Sequence, residues 1–258
     1  MVESASITAM IVDIIICIAM PLGCIVYMLY KRQKPFIPLL VGLSVFILFQ
    51  LILRVTFMGV IVSTEWYQNL LKNTWLLGLF AGITMGLFTE VGKFVGYKLL
   101  LKERRSFSDG LSLGIGYAGF EAIFIGALNY FGSLSLANMI NSGQTDQIAA
   151  MSNPDMANEV VKNLTTAMPI DIYLGGLDRI FMFIIHIALS VLILLGIRKQ
   201  KLAYLGIAVL AHLVIDGIPE ALMFSNVAIV IFTGVLAALS VMTLLHAKKQ
   251  FDKLPQEN

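Results

Sequence analysis

Seven stretches of predominantly apolar residues run through the chain, at about 6–30, 35–62, 74–101, 110–134, 170–197, 202–223 and 225–246. A bilayer core about 30 Å thick is crossed by roughly 20 such residues in a helix. In lipid every backbone polar group must be satisfied internally, which leaves helices and closed barrels as the only spanning structures. Hydrophobic residues make up 58% of the 258 residues and charged ones 13%, which excludes an ordinary soluble domain of this length. The expected fold is an all-α polytopic membrane protein with about seven transmembrane helices, a single transmembrane domain over 1–258. The break between the last two spans is the shortest, at Pro219–Ser225.

The linkers set the orientation. Lys31, Arg32 and Lys34 follow the first span, and Lys98, Lys102, Arg104 and Arg105 cluster at the end of the third. Arg198, Lys199 and Lys201 follow the fifth, and Lys248, Lys249 and Lys253 the seventh. The alternate linkers hold only Lys72 and Lys162. The positive-inside rule makes the basic side cytosolic, so the N-terminus is expected outside and the C-terminus inside. The first stretch is too long for a signal-peptide core and lacks a basic leader, so it reads as a retained span. The absence of a eukaryotic targeting signal points to a bacterial plasma (inner) membrane. The basic residues are topological, and the net charge of +2 implies no nucleic-acid partner. Cys17 and Cys24 read as packing residues. The loop 141–168, with Asp146, Asp155 and Glu159, is expected outside. Met156–Leu164 is predicted to form a short interfacial helix, in a segment that is either a connector or a lid. Asn163-Leu-Thr is a glycosylation sequon, meaningful only in a secretory pathway.

Ionisable residues at mid-bilayer cost roughly 2.5–3.5 kcal/mol each on insertion scales, so each needs a reason. The spans hold Asp13, Arg54, Glu90, Lys93, Glu121, Asp178, Arg179, His186, His212, Asp216 and Glu220. Glu90, Glu121, His186 and His212 each lie eleven residues from the cytosolic end of their span, which at a rise of about 1.5 Å is roughly 16 Å deep. Four ionisable side chains from four helices therefore share one layer. Glu90 and Lys93 are i,i+3 and can pair. His212 and Asp216 are i,i+4, so the carboxylate can hold the imidazole, and Glu220 continues that face outward. Gly82 and Gly86 precede Glu90 at intervals of four and let another helix approach, and Gly114, Gly116 and Gly119 crowd the stretch before Glu121. The expected result is one polar cavity, opening towards the cytosolic half.

A carboxylate beside an imidazole can deprotonate a water, and a second imidazole can stabilise an oxyanion. Two His with one or two carboxylates also suit zinc, and the same groups could relay protons in a transporter. The chemistry alone leaves these three open.

Thr89-Glu-Val-Gly-Lys93 resembles the EExxK/R motif of the PrsW and CAAX-type (CPBP) intramembrane proteases. Gly114-Ile-Gly-Tyr-Ala-Gly-Phe-Glu121 resembles the glycine-rich, Glu-ending motif that follows it. Arg179 with His186 resembles the third element, and His212-Leu-Val-Ile-Asp216 the closing HxxxN/D motif. Over about residues 75–220 the order and spacing are most similar to the YhfC branch of this superfamily, which also contains the Aph scaffold subunit of gamma-secretase. The resemblance implies a glutamate-type endopeptidase acting on a transmembrane or membrane-adjacent protein substrate. It implies that Glu90 and His186 activate the water and that His212 and Asp216 form the oxyanion side. Glu121 would line the chamber, with Lys93 and Arg179 as electrostatic partners. It favours a scheme without a cofactor, with zinc as the alternative. Thr89 stands where the paired motif has its first Glu; if that Glu is the essential one, Glu121 must substitute or the enzyme is inactive. Asp216 stands where many relatives carry Asn. Other functions consistent with the sequence are a catalytically inactive binding or scaffold relative and a proton-coupled transporter. The oligomeric state has no sequence signature here.

The orientation gives a first prediction. In intact cells, thiols introduced in 141–168 are expected to react with an impermeant reagent and thiols in 102–109 to be protected; labelling of 102–109 instead would reverse the topology.

Overall fold

The spans start and stop where short polar motifs satisfy the free backbone groups of a helix end. A computed structural model describes residues 1–31, 33–151 and 154–255, so Arg32 of the first basic linker lies outside the described residues. Among the described residues seven helices are long and apolar enough to cross a membrane: Ser4–Tyr30, Phe36–Ile61, Thr74–Leu100, Phe107–Asn141, Pro169–Arg198, Ala203–Ala221 and Asn226–Phe251. The Asn73 side chain accepts the Leu76 N–H at the start of the third, and Ser225 accepts the Ala228 N–H at the start of the seventh. Ser106 and Asp109 form a reciprocal capping box at the start of the fourth.

Three C-terminal ends share one device. Gly143, Gln200 and Met223 adopt left-handed φ of 72°, 56° and 49°. The next N–H reaches five residues back, from Gln144 to Met139 (2.9 Å), Lys201 to Gly196 (2.9 Å) and Phe224 to Pro219 (3.0 Å). This Schellman closure ends the sixth helix and separates it cleanly from the seventh. The fourth span runs past the apolar stretch to Asn141, because Ala137 and Ile140 pack beneath Val2, Ile148 and Ala157.

The fifth span is the axis of the bundle, with 72% of its apolar stretch buried, against 67% for the fourth and 17% for the seventh. It touches the first, fourth, sixth and seventh spans, while the second leans on the fourth and the third lies along the sixth. Leu113, Ile185, Val191 and Leu194 fill the interior. Ile231, Val235 and Met242 of the seventh span face outward, an apolar surface suited to lipid. The loop after the fourth span carries helices Thr145–Met151 and Pro154–Thr166, the second containing the helix expected at Met156–Leu164. Both cap the ends of the first and fourth spans with the chain start: the Val2 N–H donates to Asn141 Oδ1, and Asn141 Nδ2 donates to the Val2 carbonyl.

Among the described residues five stretches are π-helical: Phe46–Arg54, Leu87–Val91, Gly96–Leu100, Ala122–Ala127 and Leu213–Gly217. A π-turn fits one extra residue into the helix and is found most often at functional sites. The fifth span has none.

Gln200 carries a side chain where glycine is favoured. Gln200→Gly is expected to stabilise the detergent-solubilised protein by about 0.5–1 kcal/mol, and Gln200→Val to lower its thermal midpoint.

Candidate active site

The third and sixth spans meet backbone to backbone along a row of glycines. A Cβ at Gly86 would lie 2.6 Å from the Val209 carbonyl oxygen, and one at Gly82 would lie 2.7 Å from Leu213 Cα. Gly78, one turn before the pair noted in the sequence, would meet Ala221 Cβ at 2.7 Å. One turn beyond Gly86, inside the Leu87–Val91 π-turn, this contact delivers His212 to Glu90. On the other side, a Cβ at Gly114 would lie 2.7 Å from Ile187 Cα, which sets the fourth span against the fifth beside His186. Gly119 lies against Pro21 of the first span.

Glu90 is fully buried. Its Oε1 accepts from Lys93 Nζ at 2.8 Å and lies 2.9 Å from His212 Nε2. His212 Nδ1 lies 2.7 Å from Asp216 Oδ2, which fixes the ring with Nε2 towards the centre. Lys93 also donates to the His186 carbonyl at 3.4 Å and sits 4.6 Å from the Tyr117 ring centroid. His186 Nε2 is 3.0 Å from Glu121 Oε2, but the two are not aligned as a hydrogen bond. The two imidazole rings are 5.4 Å apart. Glu90, Glu121, His186 and His212 thus converge, as their common depth implied. The closest contacts pair Glu90 with His212 and Glu121 with His186, and Glu90 and His186, which the resemblance assigns to the water, have donor atoms within 4.8 Å of each other. The glycine row brings the sixth span onto the third, and Lys93 reaches the fifth span through the His186 carbonyl.

Thr89, at the position of the missing Glu, is turned away into a neutral network. Its Oγ1 accepts from Gln50 Nε2 at 2.7 Å and from the Tyr117 hydroxyl at 3.0 Å. Gln50 and Tyr117 escaped the sequence reading, which followed ionisable groups; an amide inside an apolar span was the available signal. Of the other charged residues, Arg179 lies close enough to Glu121 to act on its charge. Arg179 pairs with its neighbour Asp178 at 2.8 Å. Asp13 packs against Gly176. Cys17 and Cys24 are free.

A cavity of about 670 Å³ reaches the centre at Asp216, which is 22% exposed. It lies between the third, fifth, sixth and seventh spans, at the ends away from the basic linkers. That corrects the expected opening towards the cytosolic half: Asp216 and Glu220 follow His212 along the sixth span in the other direction. Among the described residues none of 141–168 lines this cavity, and those of the loop that pack do so on the ends of the first and fourth spans.

The donor set fits a metal ion. Donor atoms of Glu90, His186 and His212 lie within 4.8 Å of one another. Side-chain movement of about an ångström brings them to the separation that two bonds of about 2.0–2.2 Å can span. Glu90 Oε2 and both ring nitrogens of His186 are buried without hydrogen-bond partners. Glu90, Glu121 and Asp216 gather three carboxylates about Lys93, with Arg179 also acting on Glu121, and a cation at the free Glu90 oxygen would lower the cost of that buried charge.

Residues 16–245 match the family described as YhfC intramembrane metalloprotease, and the chain belongs to that family. A protein of Bacillus subtilis (strain 168) described as an uncharacterized membrane protein YhfC is 26% identical over 243 residues, covering 92% of this chain and 94% of its own. No solved structure matches the chain. The family description and the donor cluster both weigh towards metal dependence, against the cofactor-free scheme favoured by the sequence resemblance.

The glycine row is open to test. Gly86→Leu is expected to cost about 3 kcal/mol or more, because the atom in its way is backbone. Gly23→Leu, with open space around it, is expected to leave thermal unfolding within about 0.5 kcal/mol of the parent.

Proposed function

We propose that this member of the YhfC family is an intramembrane endopeptidase. It hydrolyses a peptide bond of a membrane-embedded or membrane-adjacent protein segment at the centre built by Glu90, Glu121, His186 and His212. The observation that carries this reading is the convergence of those four side chains, from four different spans, on one buried point beside a cavity. An isolated structural histidine or glutamate would have a local partner and no reason to share a layer with three others.

Glu90, His186 and His212 would hold a metal ion, zinc by donor type. Such an ion supplies Lewis-acid polarisation of a carbonyl and a water that ionises near neutral pH. The protein's own groups divide the remaining work. Glu121 is the general base: its side chain is 12% exposed, whereas that of Glu90 is fully buried and held by Lys93. After taking a proton from the attacking water, it returns that proton to the leaving amine. Asp216 holds His212 in one tautomer and orientation. Lys93 balances the Glu90 charge and, through the His186 carbonyl, ties the third span to the fifth.

One observation favours a second scheme, the glutamate-type mechanism of the PrsW/CAAX superfamily. Both ring nitrogens of His212 are already engaged, Nδ1 by Asp216 and Nε2 by Glu90, so a metal would have to displace one of these contacts. There the Glu121–His186 pair activates the water, and His212, oriented by Asp216, donates to the oxyanion. We place the protein in a bacterial plasma membrane with its N-terminus outside.

Purified protein is expected to contain about one zinc per chain, lost in His186→Ala and His212→Ala. Glu121→Gln is expected to keep the metal and lower cleavage of a membrane-anchored reporter by roughly 10²–10⁴-fold. Activity without bound metal and insensitive to chelators would transfer the assignment to the second scheme. Full activity of both Glu90→Gln and Glu121→Gln would sink the endopeptidase reading.

A further inference from the structure

The cavity beside Asp216 has soft apolar walls, including Met85, Met182, Met223, Phe224 and Ile229. Methionines adapt their shape to what they contact. Four charged side chains line the same space: Asp178, Arg179, Asp216 and Glu220. Asp178 Oδ2 and Arg179 neutralise one another at 2.8 Å, and Asp216 is engaged by His212. Glu220 is exposed, with no ion pair among the described residues. Asp178 is only 9% exposed, and its Oδ1 is buried without a hydrogen-bond partner. Three carboxylates and one guanidinium therefore line one space inside an apolar frame. A lone metal ion would have no use for so large an apolar wall, whereas a stretch of polypeptide would.

We propose that this cavity seats the substrate, and that Glu220 and the free oxygen of Asp178 receive a Lys or Arg side chain of an otherwise apolar segment. The inference rests on the endopeptidase reading of the neighbouring centre. On the orientation expected from the linkers, the cavity lies in the outer half of the bilayer. Basic residues are scarce at span ends on that side, so one placed there is a discriminating mark. A buried carboxylate oxygen lacking a donor gains a charge-assisted bond from such a side chain, and a neutral isostere supplies less.

Three labelled apolar pentapeptides, with arginine, its uncharged isostere citrulline or glutamate at the centre, would be titrated against the purified full chain in lipid nanodiscs. The arginine peptide is expected to bind about tenfold more tightly than the citrulline peptide, with the glutamate peptide weakest. In Glu220→Gln, a change at an exposed position that leaves the fold intact, the advantage of arginine is expected to fall below about threefold. Equal affinity for arginine and citrulline overturns the proposal, whether or not any peptide is cut. An arginine preference that survives unchanged in both Glu220→Gln and Asp178→Asn also overturns it, since the basic side chain then binds elsewhere. Cleavage of the peptides is scored separately and bears on the endopeptidase reading alone.

Discussion

A carboxylate without any exposed surface, inside a bundle that crosses a bilayer, costs several kcal/mol unless charge and hydrogen bonds are brought against it. Glu90 is such a group, and much of the surrounding structure answers that cost. Lys93 comes from the same helix one turn on, and His212 must come from another. For an imidazole to arrive at 2.9 Å, the sixth span has to press against the third with no side chains between. That explains why Gly78, Gly82 and Gly86 line the contact. Asp216 then steadies the imidazole and carries the polar centre to the edge of the cavity.

The fifth span is an uninterrupted α-helix of 30 residues, whereas the helices that bring groups to it are broken by π-turns. Glu90 lies in a π-turn, Glu121 immediately precedes one, and Asp216 lies in a third. Each turn changes the phase of its helix by about one residue. His186 thus stays on a fixed rod while the carboxylates are presented by local adjustments of the helices around it. The arrangement separates two needs, rigidity of the scaffold and fine placement of the reacting groups.

Much of this was legible in the sequence, because bilayer physics leaves few choices. Apolar length gave the seven spans, and shared depth gave the four-residue centre. Helical spacing gave the Glu90–Lys93 and His212–Asp216 contacts. Three things were not legible. The π-turns carry no proline or other marker within their sequences, so wheel arithmetic passes over them. The pairing of Glu121 with His186 depends on which helices touch, which spacing within one helix does not report. Gln50 and Tyr117, which hold Thr89, are uncharged and so cost too little in the membrane to stand out. The side on which the cavity opens was misjudged for a related reason: common depth locates a layer without saying which end of the helices splays apart.

The glycine row also shapes how inactive variants of this protein should be understood. Gly82 and Gly86 take no part in any chemistry, yet a methyl group at either would collide with backbone and move His212 off Glu90. Loss of function along the third span therefore has two unrelated sources in consecutive turns of one helix. One is steric and lies before Glu90; the other is electrostatic and begins at it. A genetic map that scored inactivity alone would merge them into a single extended motif. Fold integrity measured at each position would divide that motif between Gly86 and Glu90, where close packing gives way to charge.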